Sequence, residues 1–95
     1  MDASYYQEIS GRLHGLLIRL SDRIPARDQQ LITEFIDANE LGLALEQMAD
    51  VLSEEERTLL PDERGDILAL AERMGLGEGV PRALERCLNP PHLRK

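Results

Sequence analysis

Ile9, Leu13, Leu16, Leu17 and Leu20 recur at steps of three and four, the spacing that lays apolar side chains along one face of a helix. Tyr5 extends the stripe upstream, Ile24 extends it downstream and Pro25 stops it, so a first helix is predicted over roughly Ser4 to Arg23. Gly11 inside it costs ~1 kcal/mol relative to Ala, which points to a close helix contact there. A second stripe, Leu31, Ile32, Phe35 and Ile36, ends at Asn39, a residue that tolerates the left-handed conformation of a helix end. A third follows almost at once with Leu41, Ala44, Leu45, Met48, Ala49 and Leu52, and it runs out near Ser53. So short a connection predicts two neighbouring helices folded back on each other.

A fourth helix is expected from Pro61, with Asp62 and Glu63 in the first turn where the helix dipole favours acid. Leu60 occupies the capping position that Ser or Thr would normally fill. Ile67, Leu68, Ala71 and Met74 form its core face, and Gly75-Leu76 reads as a glycine cap. The linker GLGEGV then leads to Pro81 and a short fifth helix with Leu84, Cys87 and Leu88 inward; Asn89-Pro90-Pro91 ends it, and residues 90–95 are expected to fray. No alternating run suggests a strand. The fold class predicted is all-α, one domain over residues 1–95 built as a bundle of four to five short helices.

Composition sharpens this. The aromatics are only Tyr5, Tyr6 and Phe35, so the core must be aliphatic. A single cysteine, Cys87, allows no internal disulfide and fits a reducing compartment; with no secretion signal or membrane-length apolar run, the chain is expected in the cytoplasm. Net charge is −7, which disfavours nucleic acid and anionic lipid and favours a basic protein as partner. The acid is concentrated: residues 28–66 hold twelve Asp and Glu against Arg57 and Arg64, so the flanks are net positive, and no Lys or Arg interrupts Asp28 to Glu56.

Several candidate chemistries fail on spacing. Asp37 to Gly42 opens like a calcium loop, but Leu41 stands at the fifth position and Met48 at the twelfth, where a bidentate carboxylate is required. Gly75-Leu76-Gly77-Glu78-Gly79 lacks the strand, helix and lysine of a phosphate cradle and reads as a cap plus hinge. His14 and His92 are isolated, with no second cysteine to complete a zinc set; His14 is a boundary residue, and Cys87 an inert inward thiol. No carboxylate pair sits in an evident apolar pocket, so the chain is read as a non-enzyme without metal or cofactor. What remains is the acidic face: Gln30, Glu34 and Asp37 on the outer side of the second helix, Leu43, Glu46, Asp50 and Glu54 on that of the third. Like charges four apart destabilise a helix by about 0.2–0.5 kcal/mol per pair, and a merely solvated face usually mixes signs.

The run LITEFIDANELGLALEQMADVLSEEE, followed by PDERGDILALAERMGLGEGVPRAL, resembles the MafI family of immunity proteins of bacterial polymorphic toxin systems. The resemblance covers about Gln29 to Leu88. Its markers are Phe35-Ile36-Asp37-Ala38-Asn39-Glu40 with Gly42-Leu43-Ala44-Leu45-Glu46, then Leu70-Ala71-Glu72-Arg73-Met74-Gly75-Leu76. It departs from the family pattern at Leu41, where an aromatic is common, and at Leu60, where Thr precedes the proline. It implies a small cytoplasmic helical protein that binds and blocks a cognate toxin domain, often a ribonuclease. Glu34, Asp37, Leu43, Glu46, Asp50 and Glu54 are then the expected partner-binding residues, the acids pairing with Lys or Arg of the toxin and Leu43 adding apolar contact. The alternative is a helical adaptor or self-associating module, monomer or weak dimer when free, whose acid only aids solubility.

Overall fold

Each apolar stripe becomes a helix in the computed structural model, which describes residues 3–91. The order is α1 (Ala3–Arg19), α2 (Ala26–Asp37), α3 (Leu41–Glu54), α4 (Pro61–Arg73) and α5 (Gly79–Leu84). Among the described residues there is no strand, only an isolated parallel bridge between Thr58 and Leu88. The middle helix organises the packing, since α3 touches all four others and forms its closest pairings with α2 and α5. It buries Leu41, Ala44, Leu45, Met48, Ala49 and Leu52, as its stripe predicts, and also Val51 and Ser53, because neighbours approach it from several sides.

Helix ends depend on backbone chemistry more than on the stripes. α1 stops at Arg19, four residues before the expected end. Pro25 excludes helical geometry at Ile24, and the chain ahead of it tightens into turns with Ser21 N–H donating to the Ile18 carbonyl at 3.3 Å and Arg23 N–H to that of Leu20 at 2.9 Å. The amide of Gln29 donates to the carbonyls of Ser21 and Ile24 at 3.0 and 2.7 Å, which satisfies acceptors the broken helix leaves. At the far ends of α2, α3 and α4 the same left-handed closure recurs, at Asn39 (φ 61), Glu56 (φ 47) and Gly75 (φ 66). In each the next residue's N–H reaches back to the helix, Glu40 to the Phe35 carbonyl at 2.8 Å, Arg57 to Leu52 and Leu76 to Ala71 at 3.0 Å each. The calcium-like hexapeptide is therefore a helix terminus and the start of α3.

Several expected core positions are corrected. Leu31 is 37% exposed, because α2 is covered only by α1 and α3, along Ile32 and Ile36. Leu88 is 42% exposed: α5 ends at Leu84, so helical spacing no longer turns residue 88 inward, and its backbone instead pairs with Arg57 and Leu59. On α4 the core takes Leu70 with Ile67 and Ala71, while Leu68 and Met74 are half-buried. Helix α5 begins at Gly79, inside the expected linker, and buries Val80. Gly11 meets nothing within 4 Å of an added Cβ, so it marks no close contact. Of the expected frayed tail, Pro90 is buried and Pro91 exposed, and residues 92–95 lie outside the described residues.

Candidate partner-binding surface

The acidic stretch of the sequence separates into two parts. Asp62, Glu63 and Asp66 at the start of α4 are neutralised by Arg19, which ends α1, and by Arg23 in the turns that follow it. Arg19 donates to Asp66 at 2.7 Å and to Asp62 at 3.2 Å. Arg23 donates to both oxygens of Glu63, at 2.6 and 2.8 Å, and also to Asp22 and to the carbonyls of Thr58 and Arg19. Glu63, only 4% exposed, accepts a further bond from the Leu60 N–H at 2.9 Å. That bond is half of a capping box, and it resolves how α4 starts with leucine at its cap. The fork of Arg23 holds the Glu63 carboxyl below the usual carboxylate range, against the opposing effect of burial. Glu63 is the one buried carboxylate among the described residues, and its ionised state is the opposite of what a proton-donating acid requires.

The second part, Asp28 to Glu56, carries nine acids, and among the described residues none of their side chains makes an ion pair or a hydrogen bond. Glu34 and Asp37 are exposed on α2. On α3, Leu43, Asp50 and Glu54 are exposed and Glu46 is half-buried. Glu46 and Asp50 come together on one side of a shallow depression closed by Ala49 and by Gly79 and Val80 of α5. Glu34 and Asp37 do not line it. The six positions thus fall on two adjoining helices, with Glu46 and Asp50 the pair that shares a recess.

Elsewhere two further arginines hold the fold together. Arg73 donates to both oxygens of Glu8, at 2.9 and 3.0 Å. Arg64 donates to the carbonyls of Leu84 and Cys87, at 2.6 and 3.1 Å, and to the Asn89 side chain at 3.3 Å, pinning the segment after α5. Burial raises the pKa of the Cys87 thiol, which keeps it protonated and unreactive. Among the described residues no group of three or more His, Cys, Asp or Glu is placed to hold a metal ion, and no helix is long and apolar enough to cross a membrane.

Sequence reasoning missed the Arg19 and Arg23 pairs. The signal available was Glu63 three residues after the cap position, the place from which a side chain reaches back. Nothing in the spacing shows that Arg23, forty residues earlier, meets it. Comparison with known protein families, with curated proteins and with solved structures finds no match.

Proposed function

We propose that this chain is an immunity protein: a cytoplasmic, non-enzymatic inhibitor that binds a basic toxin domain, a nuclease in the first instance, and blocks it stoichiometrically through the acidic surface of α2 and α3. The observation that carries the reading is the division of charge. Among the described residues five arginines make ion pairs, and every carboxylate they meet lies outside Asp28 to Glu56. A surface left with nine uncompensated acids repels itself in the free protein and is complementary to a cleft built to hold RNA or DNA phosphates. The resemblance to MafI immunity proteins over Gln29 to Leu88 supports the same assignment.

The test is the double variant Glu46→Lys/Asp50→Lys against a basic nuclease toxin domain that the parent chain binds. Asp50 is exposed and Glu46 half-buried in the open recess, both outside the core, so the fold should persist while binding weakens by on the order of 3 kcal/mol or more as two attractions become repulsions. Association should slow and protection of cells should fall with it. Glu72→Lys, at an exposed site on α4, is the control. Unchanged binding and protection by a folded double variant would refute the surface.

The second reading, a self-associating module, draws on Ile18, which stands 74% exposed on α1. Salt separates the two, because electrostatically steered association slows steeply with ionic strength and apolar docking does not.

A further inference from the structure

Two of the chain's three aromatic side chains meet at one end of the bundle. Tyr5 and Tyr6 of α1 stand edge to face, with ring centroids 5.7 Å apart and planes at 79°. Arg73 of α4 lies over the Tyr5 ring, 5.5 Å from its centre, and the Tyr5 hydroxyl donates to the Arg73 carbonyl at 3.5 Å. Tyr5 and Arg73 are thereby committed within the fold, Arg73 to Glu8 as well. Tyr6 is half-buried and its hydroxyl makes no hydrogen bond among the described residues.

With Asn39, Leu41, Met74 and Leu76 the two rings line an open cleft where α1, the α2–α3 turn and the end of α4 converge. Its floor is apolar and tightly set. Leu76 is fixed by the left-handed closure at Gly75, and its Cδ2 would lie 3.1 Å from a Cβ on Gly42, so glycine there lets the leucine settle onto α3. No acid lines it, but two flank it in sequence: Glu40 stands between the lining residues Asn39 and Leu41, Asp37 ends α2, and both are exposed and outside every ion pair.

An aromatic ring, an aliphatic floor and uncompensated carboxylates together suit a long cationic side chain. The alkyl stem lies on the floor, and a planar guanidinium stacks on the Tyr6 ring while the carboxylates that flank the cleft attract its charge. Tyrosine, methionine and arginine are all enriched at protein interfaces, and arginine is a frequent hot-spot anchor. We propose that this cleft is the anchor site for an exposed arginine of a basic protein partner, extending the acidic surface of α2 and α3 onto α1 and α4. The proposal rests on the reading that the partner is a basic protein.

The experiment is a titration of the full chain with N-acetyl-arginine amide, followed by backbone amide NMR, with N-acetyl-norleucine amide as the uncharged counterpart. The arginine amide should give saturable shifts at Tyr6, Asn39, Gly42 and Leu76, and Tyr6→Leu or Glu40→Gln should each weaken it roughly threefold. Glu40 is exposed, so its variant carries the test even where Tyr6→Leu loosens the fold. Equal shifts from norleucine amide, or shifts spread over the α2 and α3 acids without preference for the cleft, overturn the proposal. With the toxin domain, a loss confined to Glu46→Lys/Asp50→Lys overturns the cleft and keeps the immunity reading. Saturable arginine binding in the cleft without any toxin binding supports the cleft and overturns that reading.

Discussion

Replacing Glu63 by Ala should be among the most damaging single changes in this protein. The substitution removes both acceptors of the Arg23 fork and the acceptor for the Leu60 N–H, at a residue 4% exposed. Breaking a buried pair from one side typically costs 3–5 kcal/mol, because the surviving charge is left desolvated. Arg23 retains Asp22 and the carbonyls of Thr58 and Arg19, so the lower end applies, with about 0.5–1 kcal/mol added for the lost cap and first-turn acid. The total is about 3–4 kcal/mol, or a melting temperature lower by roughly 15–20 °C in a domain of this size. Circular dichroism melts of Glu63→Ala, Arg23→Met and the double variant are the assay. The double variant should recover part of the loss, since no charge is then stranded. The pH dependence has a definite sign. Glu63 titrates lower in the folded chain than its ordinary value of 4.5, so its contribution is complete above that value and is lost as pH falls through the folded pKa. Glu63→Gln should flatten that acid limb. A melting temperature within about 5 °C of the parent for Glu63→Ala would refute the claim that this pair ties the turns after α1 to α4.

Two further changes follow from local geometry. Glu56 sits at φ 47, where a side chain crowds its own backbone, so Glu56→Gly should stabilise by about 0.5–1 kcal/mol and raise the melting temperature a few degrees; a decrease would contradict the strained closure of α3. Arg64→Ala removes one bond to the last residue of α5 and two to the segment after it, and should cost about 2 kcal/mol and speed labelling of Cys87 by a thiol reagent; an unchanged labelling rate would show that the segment is held by other contacts.

The helices were legible because apolar period is a direct record of one-sided burial, and α3 shows the limit of that record. Its six stripe residues are all buried, but Val51 and Ser53 are buried too, and the period along one helix cannot show that four other helices pack around it. Leu59 is buried just ahead of α4 in a segment with no period at all, held by its N–H to the Leu88 carbonyl at 2.9 Å. The opposite error is Leu88, which a helical extrapolation from Leu84 turns inward although the helix has already ended. Charge was legible only as a count. The spacing shows twelve acids in one stretch, and only the approach of α1 to α4 shows that three of them have partners.

That division predicts a conflict between stability and binding on α3 itself. Asp50 stands four residues from Glu46 and four from Glu54, so it takes part in two like-charge repulsions of about 0.2–0.5 kcal/mol each. Asp50→Lys converts both into attractions and supplies a better helix former, for a gain of about 1–1.5 kcal/mol in the free protein. The electrostatic share should disappear in high salt, and Asp50→Gln, which ends the repulsion without adding attraction, should fall between the two. If the acids are kept for a basic partner, the variant that melts higher must also bind and protect worse. A Lys variant that melts no higher than the parent in low salt would show that this surface carries no repulsive cost. The distribution of charge would then be explained by solubility alone.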